Sequence, residues 1–235
     1  MSSLRERLES VYHRVALAAE RAGRLPSEVR VVAVSKTVKP ETIAEAYRLG
    51  QRDFGENRVQ ELREKRRLLD GVEGMDEVRW HMIGHLQSNK AKLAVQLSDI
   101  IQSVDSVRLA GLLDADAKAA GRRVPVLLQV DFTSLPQRAG FAPDELRTVV
   151  GELASLHHLR VQGLMTIAPL GLDRAGLRAV FRGLRLLRNE LAECYPDVEW
   201  RELSMGMSDD FETAIEEGST IVRIGRAIFG ERPHL

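Results

Sequence analysis

The sequence has few of the features that mark secreted, membrane or nucleic-acid-binding proteins. Its only cysteine, Cys194, excludes an intramolecular disulfide and fits a reducing compartment. No apolar stretch approaches the roughly 18 residues of a membrane span, and the opening MSSLRERLES carries no secretory signal. The 34 basic residues balance 34 acidic ones, which argues against nucleic-acid binding. We therefore expect a cytoplasmic protein without a membrane or nucleic-acid partner.

The chain also has no linker, no low-complexity tract and no obvious repeat to divide it. With 235 residues and 44% hydrophobic content, it has enough apolar mass for one large core. A barrel of alternating strands and helices typically uses ~250 residues. We therefore predict a single domain over residues 1–235.

Short apolar runs alternate with amphipathic stretches along the chain. The runs predict strands at 31–35, 78–83, 100–104, 124–130, 159–165, 198–203 and 221–224. The stretches predict helices at 41–49, 56–69, 89–97, 107–120, 143–156, 174–194 and 209–217. An eighth strand is placed at 52–54, between two helices.

This alternation predicts parallel strands joined by right-handed crossovers. A further helical pattern from Leu4 to Ala22 precedes the first strand. The predicted fold is therefore α/β, a (β/α)8 barrel of the TIM type with an additional N-terminal helix. An open doubly wound sheet is the alternative. That fold more often shows a Gly-rich dinucleotide motif after its first strand, and SKTVKP is not one.

A lysine stands where the first predicted strand ends, in VVAVSKTVKP. By period-two alternation, Lys36 shares a side with Val32 and Val34. If that side faces the barrel interior, desolvation favours the neutral, nucleophilic amine that a Schiff base with an aldehyde requires. The alternative is a strand-end lysine that reaches solvent.

Two glycine-containing loops follow the last two predicted strands, where such barrels commonly hold phosphate. The first, ELSMGMSDD, offers the Ser204 hydroxyl and a close backbone approach at Gly206. Asp209 and Glu212 are expected to form a capping box there. The second loop offers the backbone amides of Gly225 and Arg226. Together with Lys36, these loops favour a covalently bound phosphorylated aldehyde.

Arg223 shares a face with Ile221 and Gly225, which directs it beneath a bound ring. A guanidinium donates hydrogen bonds and cannot accept one, so a pyridine nitrogen held by it stays unprotonated and is a poorer electron sink. A structural salt bridge to Glu202 is the equal alternative.

The motifs VSKTVKP, FGENRVQE, WHMIGHLQSNK, SVDS, GLMTIAP, ELSMGMSDDFETAI and VRIGRAIFG occur in this order over nearly the whole chain. The sequence thereby resembles the pyridoxal 5′-phosphate (PLP) homeostasis protein family, whose members are PLP-binding barrels similar to the N-terminal domain of alanine racemase. The resemblance implies that Lys36 holds PLP as a Schiff base and that Arg223 contacts the ring nitrogen. It implies phosphate contacts, mainly through the backbone, from Ser204, Gly206, Gly225 and Arg226. It also implies that Asn57, His81, Met165 and Thr166 line the pocket.

Two positions depart from the family pattern. Arg58 stands where many relatives have tyrosine, and Arg138, in the loop SLPQRAGF, stands where many have lysine. Arginine is a poor Schiff-base former, which puts a second PLP site at that loop in doubt.

Catalysis on an amino acid through PLP needs an acid or base at the substrate α-carbon. Racemases of this fold take a tyrosine for this from a second domain and a dimer partner. Here Tyr12, Tyr47 and Tyr195 fall in helical stretches or at a helix end, and no sequence follows Leu235 to build such a domain. We therefore expect a monomeric PLP carrier or regulator, whose partners include apo PLP-dependent enzymes and amino acids. A weak amino-acid racemase and an aldolase without PLP are the alternatives.

Several charged stretches are expected to be structural. The arginines of the 174–194 helix, namely Arg178, Arg182, Arg185 and Arg188, and the REKRR run at 63–67 are interpreted as solvated helix faces. The histidines lack the spacing of a zinc site, so no metal is expected.

Overall fold

The strands close into a barrel. A computed structural model of the chain describes residues 2–133 and 138–231. Within them, eight strands pair in parallel and in sequence order, and the last pairs with the first. The strands are β1 (Arg30–Val34), β2 (Asp53–Glu56), β3 (Arg79–Met82), β4 (Ile100–Val104), β5 (Val124–Val130), β6 (Leu159–Thr166), β7 (Glu202–Ser204) and β8 (Ile221–Ile224). This closure confirms the predicted barrel and excludes the open sheet.

Helices separate the strands, as the alternation predicts. In the described ranges they are α1 (Leu4–Arg21), α2 (Pro40–Arg48), α3 (Val59–Leu69), α4 (Ala91–Leu97), α5 (Val107–Ala119), α6 (Pro143–Ala154), α7 (Arg174–Cys194), α8 (Phe211–Glu216) and α9 (Arg226–Phe229). The additional N-terminal helix is confirmed as α1, which packs against α8 and α9. The short α9 was not predicted. No helix in the described part of the chain is long and apolar enough to cross a membrane.

Period-two alternation sorts the strand residues between two layers. On β1, Val32 packs inside the barrel with Leu127, Met165 and Ile221. Val31 and Ala33 instead belong to an outer core between the strands and the helices. The barrel interior therefore has an apolar layer beneath the carboxyl ends of the strands.

Two strand boundaries differ from the predictions by more than one residue. Strand β2 extends to Glu56, which was predicted to begin the next helix, and α3 begins only at Val59. Strand β7 begins at Glu202 rather than at residue 198. The preceding residues form a local turn, because the Trp200 amide donates to the Val198 carbonyl at 3.0 Å and the Arg201 amide to the Glu199 carbonyl at 2.9 Å. These backbone groups are therefore not available for strand pairing.

The arginines of α7 are not simply solvated. Arg178, Arg182 and Arg185 all donate to Glu217, which follows α8, at 2.8–3.5 Å. Arg188 donates to the Trp200 carbonyl at 2.9 Å. The prediction of a solvated face is therefore wrong for Arg178, Arg185 and Arg188, which are half-buried, and confirmed for Arg182, which is exposed. All four side chains join α7 to its neighbours.

Candidate functional site

A cavity of about 590 Å³ opens at the carboxyl ends of β1 and β8. Small-molecule sites are typically about 300–1,000 Å³. Five residues singled out in the sequence line it: Lys36, Asn57, Arg223, Gly225 and Arg226. The other lining residues are Val34, Ile83, Ile167, Met207, Ser208, Asp209, Gly230 and Glu231. Barrel closure makes β1 and β8 neighbours, and this brings the amine of Lys36 and the loop after β8 to one cavity.

Lys36 lies in a tight turn two residues beyond β1. The Val38 amide donates to the Ser35 carbonyl at 2.9 Å, and Thr37 has a φ of 64°. This left-handed conformation is unusual for a β-branched residue. Lys36 is half-buried and lines the cavity with Val34, as the alternation predicts. The alternative, a lysine that extends only into bulk solvent, does not agree with this position in the cavity wall.

Arg223 lies at the base of the cavity and is only 4% exposed. It donates to the Ser204 hydroxyl at 2.6 Å and to the Thr166 carbonyl at 2.7 Å. Burial lowers the pKa of Arg223 to about 10, against the raising effect of Asp210, so the guanidinium stays charged at neutral pH. Glu202 interacts with Arg30 instead. The alternative salt bridge between Arg223 and Glu202 is therefore absent.

A chain of hydrogen bonds runs from Arg223 through the barrel interior. The Ser204 hydroxyl, which accepts from Arg223, donates to Gln102 Oε1 at 2.6 Å. Gln102 Nε2 lies 2.8 Å from His81 Nδ1, and His81 Nε2 lies 2.9 Å from Asp53 Oδ1. Since Gln102 Nε2 is a donor, His81 Nδ1 is the acceptor and Nε2 carries the proton. Each group in this series then donates to the next one, from the Arg223 guanidinium to the Asp53 carboxylate.

Asp53 ends this chain as an anion. Burial by itself raises its pKa, but hydrogen bonds from His81 and Arg79 outweigh burial and hold the pKa of Asp53 below its ordinary value. His81 is fully buried between Gln102 and Asp53. Its side chain therefore lies in the barrel below the cavity and is not among the residues that line it, so its place in the cofactor pocket stays a prediction.

Met165 and Thr166 also lie beneath the cavity rather than in its wall. Met165 belongs to the apolar layer inside the barrel. The Thr166 hydroxyl donates to the Val130 carbonyl at 2.8 Å, and its own carbonyl accepts from Arg223. Neither residue is among those that line the cavity; both support Arg223 and the cavity floor, and their contact with the cofactor stays a prediction.

The two loops differ in what they offer a ligand. Among the described residues, no acceptor bonds the amides of Gly225 or Arg226. The Ser204 hydroxyl, by contrast, already accepts a hydrogen bond from Arg223 and donates one to Gln102. Gly206 has a φ of +96°, and a Cβ there would lie 2.6 Å from the Ala214 Cβ. Glycine is thus needed at 206 for packing against α8, and its predicted backbone contact with the phosphate stays a prediction.

The carboxylates of the first loop are engaged within the protein. Asp209 lines the cavity and is ion-paired with Arg226. Asp210 accepts from the Met207 amide, and Glu212 is paired with Arg14 at 2.6 Å. The predicted capping box of Asp209 and Glu212 is therefore wrong. Pairing with Arg226 offsets the negative charge that Asp209 places at the cavity.

Sequence reasoning missed two kinds of residue. Ile83 and Ile167 each directly follow a strand and line the cavity, and strand-end position was the signal that could have found them. Lys65, in the predicted solvated run, is only 5% exposed. The signal was helical spacing, because Lys65 falls on the same face of α3 as the buried Leu62 and Leu69.

Arg138 lies beside the cavity and is anchored to the protein. Its guanidinium donates to the Ile167 carbonyl at 2.6 Å and lies 3.5 Å from Asp131. Residues 134–137, which precede Arg138 in the loop SLPQRAGF, lie outside the described residues.

The closed barrel and this cavity match a known class of fold. The family model for the N-terminal domain of alanine racemase matches residues 7–233. Alanine racemase of Clostridium difficile 630 superimposes with a TM-score of 0.71 at 17% identity, which covers 98% of this chain and 57% of that one. At this identity the likeness shows the fold alone.

Closer relatives identify the family. A pyridoxal phosphate homeostasis protein of Aquifex aeolicus is 41% identical over 229 residues, covering 97% of this chain and 98% of that protein. The PLP-bound structure of PipY from Synechococcus elongatus PCC7942 has a TM-score of 0.86 at 42% identity and covers 97% of this chain and 100% of that one. The chain belongs to the pyridoxal phosphate homeostasis protein family, which confirms the resemblance seen in the sequence.

Proposed function

We propose that this protein binds PLP as a Schiff base on Lys36 and acts in intracellular PLP homeostasis, as one cytoplasmic domain over residues 1–235. The observation that carries the proposal is that Lys36, Arg223 and the unbonded amides of Gly225 and Arg226 share one cavity. An amine and an anion-binding loop are the two groups that a phosphorylated aldehyde needs. The names of the relatives and the PLP bound to PipY support the same ligand.

Each lining residue has a distinct expected role. Lys36 Nζ forms the covalent bond, and the aldehyde oxygen leaves as water. The amides of Gly225 and Arg226 hold the phosphate, helped by the Ser208 hydroxyl on the opposite loop. Arg223 lines the cavity with N–H groups beyond those bonded to Ser204 and Thr166, and one of these is expected to donate to the ring nitrogen. Asn57 lines the β2 side of the cavity. When bound, PLP supplies an electrophilic aldehyde for exchange with amines.

The covalent site is tested with Lys36→Ala and a matched control. Purified protein is titrated with PLP while the visible Schiff-base band is followed, then reduced with borohydride and weighed by intact-mass spectrometry. We expect wild type to gain the band and a stable PLP mass, and Lys36→Ala to gain neither. Lys118 is an exposed lysine on α5, and the Lys118→Ala variant is expected to behave as wild type. A full band in Lys36→Ala would exclude Lys36 as the attachment site.

We further propose that the bound PLP is carried rather than used for turnover. Among the described residues that line the cavity there is no tyrosine or histidine. Tyr12 and Tyr47 donate to Gln51 and Glu77, away from the cavity, and Tyr195 lies at the end of α7. Of the two acids that line the cavity, Asp209 is paired with Arg226 and Glu231 is exposed at its outer wall. A second acid or base beside Lys36, which racemisation needs, is therefore not provided by these side chains.

The alternative of a weak amino-acid racemase is favoured only by the alanine racemase fold. It is tested by incubating PLP-loaded protein with an L-amino acid in heavy water. Deuterium at the α-carbon is measured by NMR. We expect negligible exchange above free PLP. Rapid exchange that Lys36→Ala abolishes would establish the enzyme instead.

The partners are proposed from the accessibility of the cavity. Its wall includes the exposed residues Asp209, Arg226 and Glu231, so the cavity opens to the surface of the described chain. An open site suits exchange of PLP with amino acids and apo PLP-dependent enzymes, and it suits a monomer. Transfer of PLP to an apo enzyme, followed through recovery of that enzyme's activity, would test this role.

A further inference from the structure

A buried ammonium group lies behind the turn that carries Lys36. The side chain of Lys65 reaches from α3 and donates to the Ser35 carbonyl at 2.5 Å. It also donates to Glu56 Oε1 and to Glu61 Oε1, each at 2.7 Å. A lysine ammonium has three N–H donors, so all three are satisfied by these acceptors. Lys65 is therefore held at a fixed place rather than extended into solvent.

These same acceptors anchor both neighbours of Lys36. The Ser35 hydroxyl donates to Glu56 Oε1 at 2.7 Å. The Thr37 amide donates to Glu61, which Lys65 orients. Ser35 turns away from the cavity while Lys36 lines it. The turn is thus fixed from behind, on the side of α3, and the cavity side is left for the amine.

The conformation of the turn explains why anchoring is needed. Thr37 has a φ of 64°, and a non-glycine residue in this left-handed region is strained. Such a conformation persists only where the surroundings over-determine it. The bonds to the Ser35 carbonyl and the Thr37 amide supply that restraint, one on each side of Lys36.

Lys65 is the cation that pairs with the two acids behind the turn, Glu56 and Glu61. Glu56 is 0% exposed, and its second oxygen, Oε2, has no hydrogen-bond partner in the described part of the chain. Burial raises the pKa of Glu56, while Lys65 and Ser35 oppose the rise. Apolar side chains could fill this space without the desolvation of two charges. They would offer no directional bond to the Ser35 carbonyl.

We propose that Lys65 is a positioning residue for Lys36, acting with Glu56 and Glu61 to hold the 35–38 turn so that the Lys36 amine meets the PLP aldehyde. This inference rests on the proposed function, because the geometry of the turn matters only if Lys36 forms the covalent bond. It assigns a role to a buried lysine that touches neither the cavity nor the cofactor.

The experiment compares Lys65→Met with Arg63→Met, which removes an exposed cation from the same helix. PLP affinity is measured from the Schiff-base band and, separately, total PLP retention from equilibrium dialysis. We expect Lys65→Met to weaken Schiff-base formation about ten- to a hundredfold, with noncovalent PLP retained through the phosphate loops. Arg63→Met is expected to match wild type.

A double variant separates positioning from loss of stability. Lys65→Met alone leaves the buried Glu56 carboxylate without its cation, which destabilises the fold. Glu56→Gln/Lys65→Met removes both charges and is expected to regain stability in urea denaturation. It is not expected to regain Schiff-base affinity, because the bond to the Ser35 carbonyl is still missing.

The proposal is overturned by wild-type Schiff-base affinity in Lys65→Met, by recovery of that affinity in the double variant, or by unchanged hydrogen exchange at the Thr37 amide. A readout without PLP distinguishes this from failure of the proposed function. We expect hydrogen exchange at the Thr37 amide to be faster in Lys65→Met than in wild type. If wild type forms no Schiff base, the proposed function fails, and unchanged exchange at Thr37 would show that Lys65 does not order the turn.

Discussion

At the scale of single residues, the site depends on how closely two loops approach each other. Gly84, after β3, lies against the backbone of Asn57, after β2. A Cβ at position 84 would lie 2.3 Å from the Asn57 carbonyl oxygen and 2.6 Å from its Cα. Such contacts are far inside van der Waals distance and involve backbone atoms. One missing methyl group therefore allows Asn57 to take its place in the cavity wall.

Gly84→Ala is predicted to destabilise the protein and weaken its PLP binding. Overpacking against backbone typically costs about 1–3 kcal/mol, and the displaced loop carries Asn57 away from the cavity. The free energy of unfolding is measured in urea and the affinity by PLP titration. Wild-type stability and affinity in the Gly84→Ala variant would show that the two loops are not constrained in this way.

Gly111 in α5 provides the matched control. A Cβ there meets nothing within 4 Å. Because glycine in a helix interior is about 1 kcal/mol less favourable than alanine, Gly111→Ala is expected to stabilise the protein and leave PLP binding unchanged. Glycine to alanine is thus expected to lower the free energy of unfolding at position 84 and to raise it at position 111.

At the scale of elements, α7 and α8 are joined by ion pairs around one acid. Glu217 is buried and accepts from Arg178, Arg182 and Arg185. Burial raises its pKa, but the arginines outweigh burial and hold the pKa of Glu217 below its ordinary value. The loop before α8 contributes Met207 and Ser208 to the cavity, so this contact also holds one wall of the site.

Glu217→Gln is predicted to lower the free energy of unfolding by about 1–2 kcal/mol at neutral pH, from weaker hydrogen bonds to charged partners. Because the folded pKa is below the unfolded one, the wild-type advantage is present above the unfolded pKa, about 4.3. It is lost as the pH falls through the folded pKa. Urea denaturation at neutral and acidic pH measures both effects.

The control for this prediction is Glu193→Gln, which changes an exposed acid of α7. We expect a change within about 0.5 kcal/mol, as for most surface substitutions. An equal loss in both variants, or a Glu217→Gln loss that is constant with pH, would contradict a specific role for the Glu217 carboxylate.

At the scale of the whole molecule, closure of the barrel assembles the site. Val32 on β1 is paired with Arg223 on β8, so the strand that leads to Lys36 runs beside the strand that leads to Gly225. These residues are far apart in sequence. The prediction of a barrel was therefore the step that placed the lysine and the phosphate loops together. Four of the five residues that share the cavity followed from it, and Asn57 came from the family resemblance.

Residues below the cavity were harder to predict than those in its wall. His81, Thr166 and Ser204 stand at strand ends, where sequence reasoning expects ligand contacts. Their side chains and carbonyls are instead used by Arg223, Gln102 and Asp53 inside the barrel. Strand-end position indicates which end of the barrel a residue occupies. It does not indicate whether a neighbouring strand already uses its polar atoms.

The sequence by itself determined the alternation of strands and helices and the side of β1 on which Lys36 lies, because both follow from periodicity within one element. Only the tertiary structure decided that Lys65, in a run of charges, is buried behind the turn that carries Lys36, and that Glu56 ends a strand. Such placements depend on which surfaces of different elements pack together. A period of 2 or 3.6 residues describes one element, whereas partners across the barrel are fixed only when it closes.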